Sequence, residues 1–265
     1  MFLSEIKLLL KRRRTKVLFI LLLLEPWLLA FLIYQFGGGR GQGPNFLNLV
    51  THNGIFLVLA SLSSLLPLLL PLAVSLVSSD AIAGEASNGT LRYLLTAPVS
   101  RFKLLVHKMS SSLVFIFVLS VTISLSGLVA GSVFFPVGKV LLLSGQTVSF
   151  FHGVLLVLLS ALLVGLSLIC VVAIGIAIST FTDIPVGATL GTLGAIILSE
   201  ILDNITQVRG IWPLLPTNYW MSFSDLFRSP IIFSGISKNI VNQVGWLIFA
   251  FSIALAKFRF KDITS

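Results

Sequence analysis

The stretch from Asp80 to Lys108, D-A-I-A-G-E-A-S-N-G-T-L-R-Y-L-L-T-A-P-V-S-R-F-K-L-L-V-H-K, decides how the rest of the chain is read. It separates two long apolar runs. It carries two of the nine acidic residues, Asp80 and Glu85, and four of the 18 basic ones, Arg92, Arg101, Lys103 and Lys108. Asn88-Gly89 is a turn signal, since both residue types tolerate positive φ. Thr90 is placed to cap a short helix through Leu95, and Ala97-Pro98 ends it, because the residue before a proline is driven out of the helical region. Leu91, Leu94 and Leu95 stand at i, i+3, i+4 and give that helix a small apolar face. Ser100 is placed to cap the next helix. The expectation is a membrane helix that descends, turns, lays out a short helix, turns again and returns. A bare connection has no need of such an element, whereas a docking surface for a soluble partner has.

Outward from this stretch the chain is apolar. Of 265 residues, 56% are hydrophobic and 10% charged, against about 25% charged in soluble domains. Several runs are each long enough to cross a hydrocarbon core of about 30 Å. They are continuously apolar rather than alternating, which predicts an all-α membrane protein and excludes a β-barrel. The chain reads as one transmembrane domain, residues 1–265. Six spans are expected, at about Val17–Phe36, Gly54–Ser78, Met109–Phe135, a fourth ending near Thr180, Pro185–Leu202 and Ile240–Ala256. Pro67 and Pro71 predict a bend in the second. Pro185 stands where a helix tolerates proline, at its start.

The net charge of +9 reports topology rather than nucleic-acid binding. Lys7, Lys11, Arg12, Arg13, Arg14 and Lys16 precede the first span, and Lys257, Arg259 and Lys261 follow the last. With the four in the 80–108 stretch, thirteen of the 18 basic residues fall on one side. By the positive-inside rule that side is cytoplasmic, and both termini with it. Membrane lipids are natural neighbours of these charges. Residues 1–16 place apolar and basic side chains on different helical faces, as in a helix lying in the interface. Residues 203–238 are too apolar for a solvated loop and too broken by proline for a span. They read as short helices re-entering the outer leaflet, with Trp212, Tyr219 and Trp220 at headgroup level.

Two features within the spans stand out. Glu25, beside Pro26, is an ionisable group at membrane depth, where such groups usually face protein or a water-filled path. It lines a translocation path, or it satisfies groups opened by a kink at Pro26. Gly187 and Gly191 are four apart and suit a close helix–helix contact, within the chain or between two chains. The single cysteine, Cys170, excludes an internal disulfide and a cysteine metal cluster. No catalytic or metal-binding constellation is found, and Walker A is absent, so ATP hydrolysis is not expected of this chain.

The pattern D-x-I-x-G-E-x-x-x-G-T-L-R-Y-L-L-x-x-P-x-S-R resembles the segment between the second and third spans of ABC-2 type permeases, the membrane subunits of one class of ATP-driven exporters. Asp80, Ile82, Gly84, Glu85, Gly89, Thr90, Leu91, Leu94, Leu95, Pro98, Ser100 and Arg101 sit where that pattern has them. The resemblance implies that residues 79–107 contain a coupling helix that docks on a separate ATPase subunit, which would bind ATP and Mg. Asp80, Glu85, Gly89, Thr90, Leu91, Tyr93, Leu94 and Arg101 are then the residues of that coupling site. Glu85 and Arg101 are polar contacts or loop stays, the leucines are the docking knob, and Gly89, Thr90 and Pro98 shape the turns. It also implies an N-terminal elbow helix, re-entrant outer helices before the last span, two ATPase copies, a second permease, identical or related, and a plasma-membrane location. Two other classes compete: an ATP-independent secondary transporter or channel, and a non-transporting membrane scaffold. The spans contain few ionisable residues, essentially Glu25 and Glu200, which disfavours ion-coupled transport.

Overall fold

A computed structural model describes residues 5, 9, 12–36, 45–90 and 100–259 of the protein. The chain is predominantly helical. Helix α1 (Arg13–Phe36) is followed by α2 (Asn45–His52), α3 (Phe56–Leu65), α4 (Leu69–Asp80) and the short α5 (Ala83–Ser87). Then come α6 (Arg101–Phe134), a hairpin of β1 (Val140–Leu141) and β2 (Thr147–Val148), α7 (Phe150–Ser167), α8 (Ile169–Phe181) and α9 (Pro185–Asp203). Two 3-10 helices, Thr206–Leu214 and Trp220–Phe227, lead into α10 (Phe233–Arg259).

Among the described residues five helical stretches are long and apolar enough to cross a membrane, with α7 and α8 counted as one, and a sixth is reached if the bent pair α3–α4 is one span. The protein is therefore a multi-pass membrane protein. The bend of α3–α4 is 57° and falls where Pro67 cannot donate a helical hydrogen bond. Leu68 leaves the helical region there, with φ −136°, and Pro71 lies in the first turn of α4, where proline is tolerated.

The core runs through α4 and α8. Helix α8 packs on α10 and α4, α4 packs on α9, and α1 and α7 both pack on α6. Close approach of α4 and α8 depends on Gly175, where any Cβ would overlap Ser78 Oγ. Helix α1 is peripheral, with only Thr15, Leu22, Pro26, Ala30 and Ile33 buried. Its outward face, Ile20, Leu24, Leu28 and Phe31, is exposed apolar surface, as suits a helix bathed in lipid.

The helix of the third span starts at Arg101, as the Ser100 cap implies, and its 34 residues measure about 50 Å at 1.5 Å per residue, longer than a hydrocarbon core. Two expectations beyond the third span are corrected. The fourth is interrupted at Leu168, between α7 and α8. Between α6 and α7, Gly145 takes φ 85° in the turn of the β1–β2 hairpin, a conformation that glycine adopts without strain. Trp220 is not at an exposed interface. It is 2% exposed, in the same core as Phe223 and Phe227. The helix expected over residues 1–16 falls mostly outside the described residues.

Candidate functional site

The 80–108 stretch begins where α4 ends, at the end of the bundle that also carries Arg12, Arg13 and Arg14. Here one hydroxyl does the work of a helix cap. Ser179 Oγ, on α8, donates to Ser79 O at 2.7 Å and accepts from Ile82 N at 3.2 Å and Ala83 N at 2.8 Å. The first N–H groups of a helix have no partner inside it. For α5 the partner comes from a residue almost one hundred positions away. Ser79 Oγ and Thr192 Oγ1 stand 3.3 Å apart, which brings α9 into the same junction.

Next to this junction lies a cluster of charges drawn from four parts of the chain. Lys108 on α6, 5% exposed, donates to Glu5 Oε2 at 2.9 Å and is ion-paired with Glu85. Arg12, just before α1, is ion-paired with Asp80. Gly84 packs on that carboxylate, and a Cβ in its place would stand 2.9 Å from Asp80 Oδ1. Three acids thus face two bases. Burial holds the Glu85 carboxyl above its usual range, and the repulsion of Glu5 adds to this. The attraction and hydrogen bond of Lys108 and the charge of Arg12 only partly offset it. Glu85 Oε2 is buried without a hydrogen-bond partner among the described residues.

The rest of the stretch is shaped as its residue types suggest. Gly89 takes φ 68°. Thr90 donates both its N–H and its hydroxyl to Glu85 O, at 3.0 and 3.2 Å. Leu91, Tyr93 and Leu94, with Leu95 and Pro98, lie outside the described residues. Ser100 Oγ accepts from Lys103 N at 3.3 Å and caps α6. Arg101 Nη1 donates to Phe258 O at 2.9 Å and Arg259 O at 2.8 Å. A cation there satisfies the orphan carbonyls at the end of α10 and suits its dipole.

The sequence-predicted residues therefore separate into groups. Asp80 and Glu85 share the charged cluster, and Arg101 fixes the stretch to the last helix. Glu25 is elsewhere: its Oε1 accepts from Ser64 Oγ at 2.8 Å, next to the α3–α4 bend, and its Oε2 is buried without a partner among the described residues. A Cβ on Gly191 would lie 3.3 Å from Ile178 of α8, whereas one on Gly187 would approach nothing closer than its near neighbour Ile184, at 3.9 Å. Gly191 alone of the two faces another helix of the chain.

The sequence reading missed the partners. Glu5, Arg12, Lys108 and Ser179 are as much part of the cluster as Asp80 and Glu85. A second polar seam was missed altogether. Asn239 Nδ2 donates to Ser167 Oγ at 2.7 Å and Ser222 Oγ at 3.0 Å. Gln243 Oε1 accepts from Cys170 N at 3.1 Å, and Gln243 Nε2 donates to Pro216 O at 2.9 Å. These two side chains stitch α10 to the α7–α8 break and to the 3-10 segment. Asn239 and Gln243 are one helical turn apart, which is the one signal the sequence offered. Among the described residues no group of three or more His, Cys, Asp or Glu side chains is placed to hold a metal ion.

Comparison with known families gives a match that covers most of the chain. The family described as ABC-2 family transporter protein matches residues 2–221, a range that contains the charged cluster, the capped junction at Ser179 and five of the six spans. No curated protein matches the chain significantly. Members of this family are transporter permeases, the membrane component rather than the catalytic one, and they generally work with an ATPase subunit. With 220 of its 265 residues inside the match, the chain belongs to the ABC-2 family of transporter proteins.

Proposed function

We propose that this chain is the permease subunit of an ATP-driven exporter, that it forms the translocation path with a second permease, identical or related, and that a separate ATPase subunit docks on residues 79–107. Two ATPase copies serve the complex, and they bind the ATP and Mg. The docking knob is formed by the leucines, Leu91 and Leu94, with Tyr93 in the same coupling site and Gly89 and Thr90 shaping the turn before it. The cluster is cytoplasmic, as are both termini, and the complex sits in the plasma membrane. Residues 1–16 form an interfacial elbow, and residues 203–238 re-enter the outer leaflet.

One observation carries this reading: the segment is tied at its base to five helices. Arg12–Asp80 leads to α1, Lys108–Glu85 to α6, Ser179 to α8, Thr192 to α9 and Arg101 to the end of α10. Such ties stabilise any loop, but five of them are more than a connection between two spans requires. A loop pushed by a partner needs them, because a displacement is passed on only through contacts that hold. ATP-dependent closure of the two ATPase subunits moves the knob, the ties carry that movement into the spans, and access to the path between the permeases changes.

The test is purification of the tagged chain from its native host in mild detergent, with identification of the bound subunits and assay of ATP hydrolysis. A stoichiometric ATPase and a second permease are expected. A preparation that holds no ATPase, yet moves solutes in liposomes without ATP, contradicts the proposal and favours a secondary transporter or channel.

A further inference from the structure

Two cavities meet beside the charged cluster. The first, of about 240 Å³, lies between α1, α4 and α9, and its walls are mainly leucine: Leu18, Leu72, Leu76, Leu190 and Leu193. The second, of about 550 Å³, opens next to it between Arg13, Gly84, Ser87 and Asn88. Arg12, Arg14, Asp80, Pro185 and Val186 line both, so the two form one cleft with a polar mouth and an apolar interior. Three arginines and one aspartate face it. Arg12 is committed to Asp80. Arg13 and Arg14 are exposed and form no ion pair with the acids among the described residues. The mouth therefore carries two uncompensated guanidinium groups, whose planar forks match phosphate oxygens.

We infer that this cleft is a binding site for an acidic phospholipid, with the headgroup phosphate on Arg13 and Arg14 and an acyl chain between α1, α4 and α9. The apolar part is large enough for a stretch of one chain. The remainder follows Val186, Leu190 and Ile197, exposed apolar residues of α9. A soluble anion makes no use of the leucine walls, and a zwitterionic lipid offers the same phosphate but brings a headgroup cation that the arginine pair repels. The leaflet is the cytoplasmic one if the topology proposed above holds. Because Asp80, Gly84, Ser87 and Asn88 belong to the segment proposed to dock the ATPase, the lipid headgroup touches that segment directly. The inference goes beyond the exporter reading and is tested on the chain alone, so either can fail while the other stands.

The experiment is native mass spectrometry of the purified full chain, released from detergent containing equal amounts of phosphatidylglycerol and phosphatidylcholine with identical acyl chains. The wild type is expected to retain phosphatidylglycerol over phosphatidylcholine by about tenfold, because the choline cation cancels part of the attraction between phosphate and the arginine pair. The Arg13→Gln/Arg14→Gln variant is expected to lose that preference. Both side chains are exposed and unpaired, so the fold is retained, as monodisperse elution and an unchanged melting temperature will show. Lys103→Gln removes an exposed charge from the same end but not from the cleft, and is expected to keep the preference. Leu190→Trp fills the apolar part and is expected to reduce retention of both lipids. The inference is overturned if Lys103→Gln erases the preference as fully as the arginine variant, which means diffuse attraction. It is overturned too if Leu190→Trp leaves lipid retention unchanged, or if inorganic phosphate alone displaces phosphatidylglycerol. A disulfide-linked dimer of Leu190→Cys assigns the cleft to a second copy of the chain and equally contradicts it. Cys170, the one native cysteine, is buried, so the new thiol reports alone.

Discussion

Lys108, buried near the start of α6, is ion-paired with Glu85, 23 residues earlier in the loop that precedes that helix, and the same ammonium reaches Glu5 at 2.9 Å. The pair joins the loop to the span it leads into.

Removing the cation leaves two carboxylates in a site that excludes water. Lys108→Met should destabilise the protein by about 3–5 kcal/mol, the usual cost of breaking a buried pair from one side. Thermal unfolding in detergent reads this as a lower melting temperature. Adding Glu85→Gln should recover part of the loss, since one uncompensated charge is then gone. If the double variant melts no higher than Lys108→Met, the two residues do not interact as described.

The raised pKa of Glu85 has a sign that can be checked. A folded-state value above the usual 4.5 means that the folded protein holds this proton more tightly than the unfolded chain does. That contribution to stability is complete below about pH 4.5 and is lost as pH rises through the folded-state value. Glu85→Gln stays neutral throughout. Its melting temperature relative to wild type should therefore climb as pH is raised over this window, and a flat difference would refute the assignment.

Ser179 satisfies three backbone groups at the α4–α5 junction. Ser179→Ala leaves two buried N–H donors and a carbonyl without that partner, at about 1–3 kcal/mol for an unsatisfied buried group. Amide hydrogen exchange at Ile82 and Ala83 should accelerate, while exchange in α10 stays as it was.

Glycines in the spans are not equivalent. Gly175→Val should cost about 1–3 kcal/mol by overpacking, because its Cβ meets Ser78. Gly194→Ala should be neutral or stabilising by up to about 1 kcal/mol, because nothing lies within 4 Å of its Cβ position. Melting temperatures of the two variants should move in different directions or at least by clearly different amounts.

The spans were legible because length and apolarity are local properties. So were the Pro67 bend, Pro185 at the start of α9, the Ser100 cap and the left-handed Gly89. Each is a single residue whose backbone preference needs no tertiary partner. The charged cluster was half legible. Asp80 and Glu85 stood out within a motif, but Lys108 and Arg12 read as topology signals. Nothing local tells a lysine that faces headgroups from one that pairs with acids 23 and 103 residues away. Asn239 and Gln243 were hidden for the same reason, since their partners are distant in sequence: the hydroxyls of Ser167 and Ser222 for Asn239, and Cys170 N just after the break at Leu168 and Pro216 O for Gln243. Trp220 was misplaced because an aromatic residue near a membrane interface and one in a core share the same composition.

The central claim is that an ATPase docks on the segment that these ties hold. It is tested most directly by ATPase retention on Leu94→Asp, purified beside the wild type in the same mild detergent. The account predicts that the wild type retains a stoichiometric ATPase and that Leu94→Asp loses it, with the melting temperature of the permease itself unchanged. Full retention of the ATPase by Leu94→Asp would contradict the account.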